Sequence, residues 1–443
     1  MFKKKSSLAF LLAGLLVFSI LFAGCTSYSQ PSSQTQAQNQ NSPSASTTEQ
    51  KNSPQITLHI AARAGNISDA LSEMGKKYKE KTGIEVQVVG MPYNELKEAI
   101  VLDIKNKGGA YDLVTLDDPW MPEFGEGKLL TNLDAFFPNG LDSDFVEKSV
   151  ALGKHPYKTG SLYAVPMVGN VQLFYYRQDL LNKYNFNPPK TWDDVVKIAK
   201  TITEKEVPNV YGYVIRGQRG NPIVSDFLPL FWAYGGEVLD ANNVPHVNSE
   251  AGIKAMETYL KLKKYSPKGV EAFDTDQIAN ALTQGQVAMT IAWPAWVSKV
   301  DNPESSKVVG KINFSVVPGQ VKDSAAMIGN WLLGIPSTSS NKEEAVKFLK
   351  WVTSKEVQKE MALKFGVPPT RKSLYSDKEL VDKYRYYPAQ LDALEHSVAR
   401  PRTPYWSQIE DVWGLYLSQI VSGQIGIKEG LDKANSEIEK ILK

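Results

Sequence analysis

The sequence predicts an α/β protein built on a mostly parallel sheet. Strand and helix signals alternate from Thr57 onward, amphipathic helical segments recur to the C-terminus, and two further strand-like runs, Val171–Tyr176 and Ile312–Val317, lie between helical regions. In order, Thr57–Ala61 is a short apolar run, and Leu71, Met74 and Tyr78 then fall on one helical face after an expected N-cap at Ser68. Gly83 stops that helix. Ile84, Val86 and Val88 alternate as a strand, a second helix carries Leu96 and Ile100 to a stop at Gly108-Gly109, and Tyr111–Leu116 reads as the third strand. Thr191 caps a helix bearing Val195, Ile198 and Ala199, and Ile253, Met256 and Leu260 mark another. Asn341 followed by Glu344 has the form of a capping box ahead of Ala345, Phe348, Leu349 and Val352. The chain closes on a helix with Ile427, Leu431, Ala434, Ile438 and Leu442 on one face. The two isolated strand-like runs are expected to cross between structural units, and no repeat of solenoid length occurs.

Composition narrows the function. Of 443 residues, 42% are hydrophobic and 22% charged, an ordinary globular balance. Lys and Arg number 50 against 48 Asp and Glu, a net +2 that argues against nucleic acid as a partner. One Cys and four scattered His give no intrachain disulfide and no zinc site of the usual kind. His59, His155, His246 and His396 lack neighbouring ligands and read as structural or surface residues. No G-x-S-x-G, H-E-x-x-H, Walker-type or G-x-G-x-x-G motif appears, so neither catalysis nor a cofactor is expected.

The N-terminus reads as an export signal over residues 1–24: Lys3, Lys4 and Lys5 precede the apolar stretch Leu8 to Phe22, which ends at Ala23-Gly24. That stretch is shorter than the roughly 20 residues of a spanning helix. Leu21-Phe22-Ala23-Gly24-Cys25 resembles a bacterial lipoprotein processing box, with Phe22 where Leu is commoner. The resemblance implies lipidation of the Cys25 thiolate. Residues 26–54 are rich in Ser, Gln, Asn, Thr and Pro and cannot offset their ordering entropy by burial, so residues 25–55 are expected to tether the fold to the bilayer. Roughly 390 residues remain, enough for two or three globular units.

Candidate binding residues come from tryptophan placement. Trp192, Trp351 and Trp413 lie in strong helical patterns and read as packing residues. Trp120, Trp293, Trp296, Trp331 and Trp406 instead sit beside Pro, Gly or Asn, as does Trp232 ahead of Tyr234-Gly235-Gly236. Ligands of open α/β sheets bind at loops beyond the carboxyl ends of strands. An indole face beside Asp, Asn and Arg suits a pyranose, whose C–H face stacks while its hydroxyls bind polar groups. Asp117 and Asp118 are adjacent at a strand end and project oppositely, which disfavours a pair of glycosidase carboxylates; one is expected to accept ligand hydroxyls and the other to cap a turn or helix.

Several stretches carry a resemblance. Tyr78–Val86, Tyr111–Asp118, Asn170–Leu180 followed by Pro189-Lys190-Thr191-Trp192, and Gly329–Ile335 are together similar to the family 1 extracellular solute-binding proteins of ABC importers, the group that includes maltose-binding protein. The resemblance runs from about Ile56 to the C-terminus. It implies a two-lobe periplasmic-binding-protein fold of type II, lobe 1 at residues 56–168 with 318–370 and lobe 2 at 169–317 with 371–443. By the same analogy Arg63, Asp118 and Trp120 line one wall of the cleft and Trp232, Tyr234, Trp293 and Trp296 the other. Asn170, Asn330, Trp331, Arg371, Arg402 and Trp406 then lie near the hinge and rim. The implied protein is a lipid-anchored monomer on the outer face of the cytoplasmic membrane that captures a mono- or oligosaccharide and hands it to a permease, with no reaction of its own. A surface-anchored glycoside hydrolase, or a receptor for a polyol, peptide or polyamine, stands as the alternative.

Overall fold

The computed structural model describes residues 56–294 and 299–443. The expected export signal, Cys25, the tether and Trp296 lie outside the described residues.

Among the described residues there are ten strands: β1 (Thr57–Arg63), β2 (Glu85–Met91), β3 (Leu113–Asp117), β4 (Lys154–His155), β5 (Ser161–Leu162), β6 (Ala164–Val168), β7 (Leu173–Arg177), β8 (Met289–Ala292), β9 (Ile312–Ser315) and β10 (Trp331–Gly334). The first sheet has the order β2-β1-β3-β10-β6. In it β1 runs parallel to β2 and β3, and β10 runs antiparallel to β3 and β6. The second has the order β8-β7-β9, with β7 antiparallel to both neighbours. A segment at Tyr211 joins beside β8 through a parallel bridge to Val287. The strands β8, β7 and β9 are thus antiparallel throughout, and the Tyr211 bridge adds a parallel neighbour at the β8 edge. β4 and β5 form a small antiparallel pair.

The period of two along each strand of the first sheet divides the interior into two cores. Leu58, Ile60 and Ala62 of β1, Leu113 of β3 and Leu333 of β10 pack with helix Asn66–Thr82 and Phe348. Ala61, Val114, Leu116 and Leu332 face the other core, which extends through β7 and β8. Three segments between the sheets lie side by side, through bridges Val171↔Ile328 and Met327↔Val398. Gly329 N–H donates to the Asn170 carbonyl at 3.0 Å, and Val398 N–H to the Ala326 carbonyl at 2.8 Å. The first adjoins the expected run Val171–Tyr176, but Ile312–Val317 supplies β9 within the second sheet because it pairs with β7, and the segments at Met327–Ile328 and Val398 were not visible in the sequence pattern.

Local signals translate with two corrections. Gly83 adopts φ 79° and ends the first helix, and the Thr191 hydroxyl accepts from the Asp194 N–H at 3.1 Å in a capping box. Ser68, however, is the third residue of its helix, not its cap: the helix begins at Asn66 after Gly65, and the Ser68 hydroxyl accepts from the Gly65 N–H at 3.1 Å. Asn341 precedes helix Lys342–Val352 without capping it, because its side-chain amide donates instead to Asp112 at 3.1 Å.

Helices Asn221–Ala233 and Trp406–Val421 meet where Gly414 faces the backbone of Gly220; a Cβ on Gly414 would lie 2.8 Å from that backbone. Gly414→Ala should therefore force the two helices apart and lower the unfolding free energy by about 1–3 kcal/mol, read as a lower urea midpoint. An unchanged midpoint would mean that the approach relaxes without cost.

Candidate functional site

A cleft of about 1230 Å³ opens where the two sheets face each other across the side-by-side segments. Arg63 at the end of β1, Asp117 at the end of β3, Trp120 just after it, and Trp331 at the start of β10 form one wall. Trp293 after β8, Arg216 and the start of helix Asn221–Ala233 form the other. Asn170, Met327 and Gly329 lie at the floor.

The aromatic part is a packed set. The Tyr93 and Trp120 ring centroids are 4.9 Å apart, and Trp331 meets both edge to face, at 6.0 and 5.8 Å. Trp293 rests on Gly329, where a Cβ would lie 2.4 Å from the indole. Glycine is needed there to admit the ring. The Asn170 side-chain oxygen is buried and makes no hydrogen bond within the described residues.

Beneath the aromatic wall lies a buried charge network. Arg400 donates from both terminal nitrogens to Asp117, at 2.8 and 3.1 Å, and from Nη2 to Asp118 at 2.7 Å. Arg402 donates to the Asp118 carboxylate at 3.1 Å and to its carbonyl at 2.9 Å. The Tyr93 hydroxyl donates to Asp117 at 2.7 Å and accepts from Trp120 Nε1 at 3.1 Å. Burial, with the Asp117 carboxylate beside it, holds that hydroxyl well above its ordinary pKa. Burial likewise raises the Asp118 carboxyl, against the pull of Arg400. Neither aspartate caps a helix through its side chain, contrary to expectation, because the guanidinium groups of a segment almost 300 residues away claim both carboxylates.

Of the sequence candidates, Arg63, Asp117, Trp120, Asn170, Trp293 and Trp331 line the cleft. Asp118, Asn330 and Trp406 are enclosed in the core around it. Trp232 and Arg402 line a separate cavity of about 510 Å³ instead. Tyr234 bonds Thr258 at 2.8 Å, also away from the cleft. Arg371 pairs with Asp142 at 3.0 Å and lies over the Phe145 ring, because the strand-like bridge between Phe145 and Arg371 draws it to that surface. Tyr93, Arg216, Asn221, Arg400 and Glu410 line the cleft without having stood out in the sequence. A Pro-flanked Arg400 two residues before Arg402 was the one available signal.

Two buried acids set an expected pH dependence. Burial pushes Glu410 up to about 7 and Asp226 up to about 6. Asp226 accepts from the Tyr259 hydroxyl and the Arg216 N–H, both at 2.9 Å. The folded protein thus binds protons that the unfolded chain takes up only in the ordinary carboxylate range, so stability rises as pH falls from about 7 toward 5. Calorimetry should give a higher Tm at pH 5.5 than at pH 8; the reverse order would contradict the assignment. Below about pH 4 the gain ends, as carboxylates held low by partners, such as Asp377 beside Lys359, become protonated.

Among the described residues no cluster of three or more His, Cys, Asp or Glu could hold a metal. Residues 64–359 match the bacterial extracellular solute-binding protein family. The chain belongs to that family. This solute-binding protein is accordingly a binding component and not an enzyme. It is 28% identical over 351 residues to a protein of Sinorhizobium fredii named a probable amino-acid ABC transporter periplasmic-binding protein, covering 77% of this chain and 79% of the other. The solved structure of an ABC transporter solute-binding protein of Agrobacterium radiobacter in complex with ribitol superposes with a TM-score of 0.80 at 27% identity, over 87% of this chain and 98% of that one. Maltose-bound MalE3 of T. maritima gives 0.79 at 27% identity, over 87% of this chain and 100% of that one.

Proposed function

We propose that this solute-binding protein captures an uncharged sugar or polyol in the cleft and presents it to the permease of an ABC importer. The observation that carries the reading is the Asn170 amide oxygen, buried in the cleft that Trp293 and Trp331 also line and without a partner in the described residues. An unmade hydrogen bond of this kind costs about 1–3 kcal/mol, which a ligand hydroxyl would recover while its C–H face covers Trp293 or Trp331. Arg63, Trp120, Asn170, Trp293 and Trp331 are the proposed contacts. Ribitol and maltose, the ligands in the two structural relatives, share this hydroxylated, uncharged character.

In this reading the two lobes comprise residues 56–168 with 318–370 and residues 169–317 with 371–443. A ligand touching both walls favours the closed form; moving the population from 1:99 to 99:1 takes about 5.5 kcal/mol of differential affinity. Cys25 is the proposed lipid anchor. Cys25→Ser should abolish incorporation of a labelled fatty acid, and continued labelling would exclude that anchor.

A thermal-shift panel of sugars, polyols, amino acids and peptides tests the ligand class. Stabilisation by at least one sugar or polyol and by no amino acid is expected. Stabilisation by amino acids alone would replace this reading with the one that the name of the Sinorhizobium relative carries.

A further inference from the structure

We infer that Glu410 meets the captured solute as a neutral carboxylic acid and donates a hydrogen bond to one of its hydroxyls, so that capture of an uncharged solute takes up a proton. This role rests on the sugar or polyol reading above and assigns it a specificity-determining residue. Glu410 lies on helix Trp406–Val421, lines the cleft and is 6% exposed.

The groups facing it come from every neighbouring element. Asn221, opening helix Asn221–Ala233, donates to Oε1 at 2.8 Å. Arg400 and Asp117 act on it through the charge network, Tyr93 is close enough to feel its charge, and Asp411 adjoins it on the same helix. Arg400 is the one cation of this set, and its terminal nitrogens already serve Asp117 and Asp118. Among the described residues Glu410 forms no ion pair, and its one side-chain hydrogen bond is the one that Oε1 accepts from Asn221.

A carboxylate buried near Asp117, with no ion pair of its own, is costly to desolvate further. Its carboxyl already sits near 7 in the open cleft, raised by burial against the pull of Arg400. Closure over an uncharged solute removes more water and adds no charge, which drives the group to its protonated form. The neutral acid also supplies an O–H donor that a carboxylate lacks, matched to a hydroxyl oxygen. A cationic solute would do the opposite and release any proton bound there.

The test is calorimetric titration of the mature chain with ribitol, maltose or another neutral solute that stabilises it, at pH 8 in buffers of differing ionisation enthalpy. About one proton taken up per solute is expected, with affinity falling by up to about tenfold per pH unit above 7. In Glu410→Gln the uptake should vanish and the pH profile flatten, at whatever affinity that variant has. Binding by the wild type with no uptake, or with release, overturns the inference and leaves the receptor reading standing; so does uptake that persists in Glu410→Gln. Failure of every sugar and polyol to bind overturns the receptor reading, and this inference with it.

Discussion

Replacing Arg400 with Met lowers the unfolding free energy by about 3–5 kcal/mol, the range for removing one partner from a buried charge set. The Arg400 side chain is 3% exposed, and among the described residues it is the side chain that pairs with both Asp117 and Asp118. Met approximates its length but leaves two enclosed carboxylates sharing Arg402 and the Tyr93 hydroxyl. Urea denaturation of the wild type and variant measures the loss, and a difference below about 1 kcal/mol would show that water reaches the aspartates. A second change, Asp117→Asn, should recover part of the stability by removing one uncompensated charge, whereas a purely steric defect would not respond. Solute affinity should fall as well, because Asp117 orients Tyr93, and Tyr93 in turn holds the Trp120 indole.

Trp331→Ala and Trp293→Ala each weaken solute binding by about tenfold to a hundredfold, the scale of roughly 1–3 kcal/mol for an aromatic contact with its buried area. The two differ in what else they disturb. Trp331 is partly exposed and leans edge-on against Tyr93 and Trp120, so its removal loosens one wall. Trp293 lies on Gly329, beside the segments that join the sheets, so its loss also affects how the cleft closes. Trp406→Ala provides the contrast: this indole is 1% exposed in the core and does not line the cleft, so stability should fall by about 3–5 kcal/mol. Calorimetric affinity beside thermal melting separates the cases. Equal affinity loss in all three variants would mean that folding, not stacking, is being measured.

Much of the architecture was legible because its causes are local. Alternation at Ile84, Val86 and Val88, the glycine stop at Gly83 and the Thr191–Asp194 box all act within a few residues, and each is seen in place. Ser68 and Asn341 went elsewhere because a competing partner, Gly65 in one case and Asp112 in the other, offered the side chain a better bond. Of the tryptophans set beside Pro, Gly or Asn, Trp120, Trp293 and Trp331 line the cleft, whereas Trp232 and Trp406 lie in other surroundings.

Residue order within short windows was enough to establish an α/β chain of this family, because hydrogen-bonding period and turn chemistry are properties of neighbours. Tertiary contact alone decided that Asp117 and Asp118 are bound by arginines, that Tyr93 and Glu410 reach the cleft, and that Arg371 does not. Charge state and exposure depend on which distant segment removes the water, and Asp117 meets Arg400 across 283 positions of chain. No local pattern records such a meeting.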